Sequence, residues 1–355
     1  MGARIAIVGA TGAVGQEMRR QLELRGFPLE GEPVFLASER SAGKRLPWRD
    51  GEVEVQAVSA EAFDDVDIAL FSAGGGRSRE WAPVAAARGA VVVDNSSAFR
   101  MDDDVPLVVS EVNPAAITRR PKGIVANPNC TTMVLMVAVK PLHDAFGLTE
   151  AVATSYQAAG GAGQAGITEL IEQTRKFVGA EDRLRLDGAA LEASVEGDAF
   201  SKALAFNVLA HCGSFTDARY TDEEYKLVNE SRKILDAPQL RVSPTCVRVP
   251  VAVGHGIAAR LSFNGPVTRQ AALDALEGAP GLVVEDGTGT DGEALAYPTP
   301  LASAGRDEVF VGRIREDLGD PNSLNVWVVG DNLLKGAALN TVQLAELLVD
   351  EGVGG

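Results

Sequence analysis

Of the chain's 355 residues, only three are cysteine, three histidine, three tryptophan and four tyrosine. Cys130, Cys212 and Cys246 lie far apart with no C-x-x-C pair, which argues against a disulfide scaffold or a structural metal site. A reduced, cytoplasmic setting follows as the expectation. Long apolar runs are also missing. The longest clean one, Met133–Val139, has seven residues, against the roughly 20 needed to span a bilayer. The N-terminal apolar stretch Ile5–Val8 is too short for a signal peptide and runs straight into glycines. Positive charge is scarce: 33 Lys and Arg stand against 49 Asp and Glu, a net charge of −16. Such a surface repels nucleic acid and anionic membranes, so neither is an expected partner. A phosphate-bearing ligand would need a locally basic site, and each well-placed Arg or Lys gains meaning from that. Internal repeats, low-complexity tracts and flexible linkers are absent as well.

What is present divides in two. Through about residue 130, short apolar runs alternate with helical segments: strands at Arg4–Val8, Pro33–Ala37, Ile68–Ser72, Val91–Asp94 and Gly123–Ala126, and a helix at Gln16–Arg25. Glycine-bounded strands separated by helices imply parallel β-α-β units and a doubly wound sheet. From about Ala151 the runs alternate apolar and polar. Ala151–Tyr156, Arg248–Val253 and Ile257–Phe263 read as strands of a mixed or antiparallel sheet, with helices at Ile167–Val178 and Glu223–Leu235. Asn332–Leu348 has helical apolar spacing throughout. The expected fold is α/β, a Rossmann-type doubly wound sheet over residues 1–130 with the C-terminal segment 331–355 returning to it. An α+β catalytic and dimerisation domain fills 131–330.

Gly9-Ala10-Thr11-Gly12-Ala13-Val14-Gly15 follows the first strand and opens the first helix. Glycines there allow a tight turn and close backbone approach to a pyrophosphate, and the helix N-terminus supplies oriented N–H groups. The G-x-x-G-x-x-G spacing is a variant of the usual dinucleotide fingerprint. At the end of the second strand, Ser38, Arg40, Ser41 and Lys44 could hold a 2′-phosphate by charge-assisted hydrogen bonds. Glu39 could instead take a 2′-hydroxyl; the balance favours NADP over NAD. A second cluster, Ser72-Ala73-Gly74-Gly75-Gly76, ends a later strand on the same side.

Asn127-Pro128-Asn129-Cys130-Thr131-Thr132 follows a strand and precedes the apolar helical run. That places the Cys130 sulfur at a helix N-terminus, where the dipole and free N–H groups favour thiolate and could hold an oxyanion. Cys212 and Cys246 read as buried structural cysteines. A thiol nucleophile needs a base. His143 sits in a helix and looks incidental, and His211 beside Cys212 has no clear reading. His255, between Gly254 and Gly256 in a strand-like stretch, is the best candidate for acid/base work.

The series GATGAVG, SAGGG, DNSSAFR, NPNCTT, SYQAAGGAGQAG, EEYKLVNESRKIL, TCVRVPVAVGHG and GDNLLKGAALNTVQ resembles the aspartate-semialdehyde dehydrogenase family. The order is that family's, from Gly9 to Gln343. The resemblance implies reduction of L-aspartyl 4-phosphate by NADPH to aspartate semialdehyde and phosphate, a step of amino-acid biosynthesis. It implies Cys130 as attacking thiolate, Gln157 as the residue orienting the intermediate, and His255 as acid/base catalyst. It further implies Arg248 as a clamp on the substrate carboxylate, Glu223 on its ammonium, Arg100 and Lys226 facing the phosphate, and Asn129 beside the substrate. Gly9, Thr11, Gly12, Ala13, Val14, Gly15, Ser38, Arg40, Ser41, Ser72, Gly74 and Gly163 would touch the cofactor, and Asn332 its nicotinamide end. No metal is implied, and a homodimer packed through the second domain is. Gly76 stands where the family often has Ser, and Ala159-Gly160 where a small polar residue is frequent. Glu224 is as acidic as Glu223 and keeps that assignment open. Three rivals remain: N-acetyl-glutamyl-phosphate reductase, a non-redox thiol acyltransferase, and a non-catalytic nucleotide-binding paralogue.

Overall fold

A computed structural model describes residues 2–290 and 294–354. The chain forms two compact units: Met1–Met136 with Asn229–Pro238 and Leu333–Gly355, and Val137–Val228 with Gln239–Asn332. The segment Asn229–Pro238, placed by sequence in the second domain, thus clusters with the first.

The first unit holds a seven-stranded sheet of β1 (Ile5–Val8), β2 (Val34–Ala37), β3 (Arg45–Trp48), β4 (Gly51–Ala57), β5 (Ile68–Phe71), β6 (Val91–Asp94) and β7 (Ile124–Ala126), in the order β3-β4-β2-β1-β5-β6-β7. All pairings are parallel except β3 with β4. β1 and β5 are buried along their whole length, as strands covered on both faces must be, which is why they read as unbroken apolar runs. The chain leaves β1 towards β2 on one side and later returns to β5 on the other. The carboxyl end of β1 is therefore the switch point where open α/β sheets bind ligands. Helix α1 (Ala13–Leu24) starts at Ala13, ahead of the expected Gln16, so Ala13, Val14 and Gly15 belong to its first turn. α2 (Gly75–Ala87) follows β5, and α3 (Cys130–Phe146) follows β7. Met18 and Leu22 of α1 join Ile5, Ile7, Phe35, Val342 and Leu348 in the unit's core. The C-terminal segment is not one regular helix as expected. A π-helical turn at Leu334–Ala338, which holds Gly336 and a buried Lys335, precedes the α-helix Leu339–Asp350.

The second unit carries a six-stranded sheet of β8 (Leu148–Gln157), β9 (Arg241–Arg248), β10 (His255–Phe263), β11 (Leu282–Val284), β14 (Val309–Glu316) and β15 (Ser323–Gly330), with a separate hairpin of β12 (Gly287–Thr288) and β13 (Leu295–Ala296). Its order is β11-β14-β15-β10-β8-β9, mixed in direction. β9 is an edge strand, which is how it tolerates Pro244. The strand expected at Arg248–Val253 is absent: β9 ends at Arg248, and Pro250 has no N–H to give a ladder. Val251 and Ala252 instead offer carbonyls to the Ala159 and Gly160 N–H groups, at 2.7 and 2.9 Å. Helices α4 (Gly163–Phe177), α5 (Glu181–Leu186) and α6 (Gly188–Glu192) lead to α7 (Asp222–Ile234). Among the described residues no helix is long and apolar enough to cross a membrane.

Candidate active site

The site residues expected from sequence fall into two clusters, each within one unit. At the end of β1, Gly9 has φ +91°, and a Cβ there would stand 2.3 Å from the Ser72 carbonyl oxygen; one on Gly15 would stand 2.2 Å from the Gly9 oxygen. No side chain fits either place, so backbone alone forms this turn. Gly12 caps α1 without any side-chain hydrogen bond. The first N–H groups of α1 are thus not satisfied by a side-chain cap, the arrangement that suits an anion. Thr11 and Gly12 are exposed there, and Gly74 caps α2 with φ +83°. Beyond β2, a cavity of about 620 Å³ is lined by Ser38, Glu39, Arg40, Gly76, Arg77 and Trp81 among others. Ser41, proposed from sequence for the same role, is buried and does not line it. Arg77 and Trp81 do, and sequence reasoning passed over both because they lie in a helix beyond the glycine cluster.

Cys130 is the first residue of α3 and partly exposed, whereas Cys212 and Cys246 are buried. Burial pushes the Cys246 thiol well above its ordinary range, so it stays protonated and inert. Asn129 is the N-cap: its Oδ1 accepts the Thr131 and Thr132 N–H groups at 2.9 and 3.3 Å. Arg100 is 8% exposed. Its Nε and Nη2 donate to the Asn127 and Asn95 carbonyls, at 2.9 and 3.0 Å. Its Nη1 meets Glu230 at 3.0 Å. Asn127 in turn donates to the Asn95 Oδ1 and takes a hydrogen bond from Asn340.

The second unit assembles Gln157, Glu223, Lys226, Arg248, His255 and Asn332. Gln157 is the last residue of β8, 2% exposed, and its Nε2 donates to Glu223 at 3.2 Å. Glu223 also pairs with Lys226 at 3.1 Å, and Lys226 with Asp222 at 2.7 Å. Burial works against the Lys226 charge, but the two carboxylates outweigh it and hold the ammonium above its ordinary value. Glu224 is spoken for. It closes a capping box with Thr221 at the start of α7 and accepts the Cys246 N–H at 3.1 Å. Of the two acids, Glu223 is therefore the one beside Gln157.

Arg248 ends β9 with its guanidinium donating to the Ala158 carbonyl at 2.7 Å and lying 5.8 Å from the Phe200 ring centroid. His255 opens β10 and is fully buried. Its Nδ1 accepts the Ala158 N–H at 3.0 Å, which leaves the ring proton of the neutral form on Nε2. Burial, aided by the Arg248 charge, pushes His255 down to about 3, against the Gly254 backbone, which acts the other way. Gly161 is the unforeseen member: a Cβ on it would stand 2.5 Å from the Arg248 Nη1 and 3.4 Å from the His255 ring. The Asn332 Oδ1 accepts the Gly254 N–H at 2.9 Å, while its Nδ2 is buried without a partner. A buried amide N–H₂ lacking an acceptor suits the carboxamide of a nicotinamide ring. Within the first unit, the side-chain-free turn at Gly9 and Gly15 fits the pyrophosphate of a dinucleotide. Gly163, with φ +77°, opens α4.

A doubly wound dinucleotide-type sheet joined to a second, mixed-sheet unit is the architecture of a nicotinamide-dependent semialdehyde dehydrogenase. Residues 4–120 match the model for the semialdehyde dehydrogenase NAD binding domain, and residues 139–335 that for the semialdehyde dehydrogenase dimerisation domain. An aspartate-semialdehyde dehydrogenase of Corynebacterium melassecola is 49% identical over 352 residues, 97% of this chain and 99% of that one. That of Aquifex aeolicus is 46% identical, covering 99% and 100%. The crystal structure of aspartate semialdehyde dehydrogenase II from Vibrio cholerae superposes with a TM-score of 0.90 at 43% identity, covering 99% and 100%. The chain belongs to the aspartate-semialdehyde dehydrogenase family and is an oxidoreductase using a nicotinamide cofactor.

Proposed function

We propose that the chain converts L-aspartyl 4-phosphate to L-aspartate 4-semialdehyde and phosphate with NADPH, through a thioacyl intermediate on Cys130. The observation that carries this reading is the accessibility of one thiol among three, at the capped start of α3. The helix dipole at the start of α3 favours the thiolate. It attacks the acyl carbon; the C–O bond to phosphate breaks, and phosphate departs towards Arg100 and Lys226. The bound cofactor supplies the hydride that reduces the thioester carbon. The Nε2–H of neutral His255 donates a hydrogen bond to the resulting thiohemiacetal oxyanion, whose collapse to the carbonyl breaks the C–S bond and releases aldehyde and thiolate. Gln157 orients the acyl group. Arg248 takes the substrate carboxylate with a bidentate fork that no ammonium can copy. Glu223 takes the substrate ammonium, exchanging Lys226 for it. Glu223 also weighs against an N-acetylated substrate, whose blocked amine has no use for an acid.

NADP is preferred because Arg40 faces a cavity at the end of β2 in a strongly acidic chain. The chain works as a homodimer joined through its second unit. The exposed Val152 and Tyr156 on β8 support this, as does the description of the matched dimerisation domain. A Vibrio cholerae relative whose structure is described as complexed with ASA, 43% identical, supports the substrate.

The test is nicotinamide reduction by purified protein given aspartate semialdehyde, phosphate, and NADP or NAD. Phosphate-dependent NADPH formation, abolished in Cys130→Ala with nucleotide affinity within about twofold, is the expected result. Equal rates with NAD would remove the Arg40 argument, and turnover in Cys130→Ala would remove the mechanism.

A further inference from the structure

Glu230 has no part in the mechanism above, yet it is the carboxylate most closely tied to it. Its side chain is 1% exposed. One oxygen meets the Arg100 Nη1 at 3.0 Å, and the other accepts the Asn129 N–H at 2.6 Å. Both partners lie, with Glu230, in the first unit. Asn129 is the residue before Cys130 and caps the helix that presents the thiol. Arg100 is the guanidinium assigned to the phosphate. One buried carboxylate thus holds the peptide leading into the nucleophile and the cation awaiting the leaving group.

The cost of this placement is informative. A carboxylate this deeply buried is tolerated only when paired and hydrogen-bonded. On α7, Glu230 shares the buried stripe of Leu227 and Ile234, where an aliphatic side chain would pack at no electrostatic cost. The carboxylate also takes up one guanidinium nitrogen of Arg100, while Nε and Nη2 are bound to main-chain carbonyls. With three nitrogens each tied to a different part of the chain, the guanidinium plane is fixed, and its remaining N–H bonds point in set directions. A free arginine side chain would have to order itself for each phosphate.

We propose that Glu230 is a positioning residue for the reaction. It aims Arg100 at the transferred phosphate and registers it against the Cys130 turn, without touching substrate itself. This rests on the assignment of Cys130 as nucleophile and Arg100 as phosphate ligand.

The test is steady-state kinetics of Glu230→Gln and Glu230→Asp in the phosphate-dependent oxidation of aspartate semialdehyde, with Cys130→Ala alongside. Gln keeps the shape but turns N–H₂ towards either the guanidinium or the Asn129 N–H. The expected result is a KM for phosphate raised roughly tenfold with a lower kcat, while the KM values for semialdehyde and cofactor stay within about twofold. Asp keeps the charge but cannot span both partners, and its phosphate KM should fall between the two. In an Arg100→Lys background, Glu230→Gln should raise the phosphate KM no further, since both changes spoil one element. A purely structural carboxylate would lower kcat and the melting temperature without selecting phosphate. An unchanged phosphate KM in Glu230→Gln overturns the proposal; if that variant does not fold, an unchanged value in Glu230→Asp overturns it. Activity in Cys130→Ala would instead sink the underlying reading.

Discussion

Two sets of buried polar groups, one in each unit, are treated differently. In the first unit, the charges at Lys335 and Arg100 are closed off, although the buried Arg19 Nε there has no partner. Lys335, 1% exposed, donates to Ser110, Asn340 and Gln343 at 3.1, 3.0 and 2.8 Å and pairs with Glu111. Arg100 has Glu230 and two carbonyls. In the second unit the buried groups keep capacity in hand. Arg248 has no carboxylate within ion-pair distance among the described residues, His255 is held neutral, and the Asn332 Nδ2 has no acceptor. A saturated network such as that around Lys335 builds a frame, whereas groups with unused hydrogen-bonding capacity can take a ligand. Substitutions around Lys335 should therefore show up in stability, and those around Arg248 in substrate constants.

The largest expected effect breaks the frame. Lys335→Met leaves Glu111 buried beside polar groups with no cation. Burial raises the Glu111 carboxyl, and only Lys335, with Ser110 and its own backbone, brings it below its ordinary value. Removing one partner of such a pair costs about 3–5 kcal/mol, to be read from urea denaturation. A loss under about 1 kcal/mol would show that the pair is dispensable.

His255 gives the next effect, and its sign follows from the shift. With a folded value pushed to about 3 against about 6.5 unfolded, the unfolded chain binds the extra proton between those limits. The contribution is fully present above about pH 6.5 and is lost as pH falls towards 3, amounting to about 2 kcal/mol at about pH 5. His255→Gln should flatten the stability profile by that amount between about pH 8 and 5. Parallel profiles for the two proteins would mean that the imidazole is solvated and titrates normally.

Much of the first unit was legible because its signals are local. Strands buried on both faces show as apolar runs, and the glycines at 9 and 15 are dictated by contacts with backbone. The second unit was harder. Its mixed sheet pairs strands distant in sequence, such as β8 with β9 and β10, and Arg241–Arg248 hides a Pro. The expected strand at Arg248–Val253 failed because the Arg248 end of β9 and the loop past Pro250 share one alternating pattern. Site residues in named motifs were findable singly. What no motif could reveal was the company they keep: Glu230 beneath Cys130's turn, Asp222 on Lys226, Gly161 against Arg248. An acid at a buried position of α7 was the one available hint of Glu230.

Arg248→Lys sharpens the same contrast. The charge remains near His255, but the fork is gone, so KM for aspartate semialdehyde should rise roughly tenfold or more. Stability should hold within about 1 kcal/mol, because no buried carboxylate loses its partner. An unchanged KM would remove Arg248 from the substrate site.

The smallest effect is also the most local. A methyl on Gly161 would fall 2.5 Å from the Arg248 Nη1 and 3.4 Å from the His255 ring. Gly161 has no left-handed backbone to strain, and the nearest atom is the tip of a long side chain that can move aside. Gly161→Ala should therefore change stability by less than about 1 kcal/mol. The guanidinium, however, can give way only by tilting off the Ala158 carbonyl that fixes it. KM for the semialdehyde should rise about threefold to fivefold with the cofactor constants unchanged. Since the glycine is needed for neither turn geometry nor packing of a core, an unaffected KM would mean that the Arg248 tip moves freely, and that substrate rather than the protein sets its position.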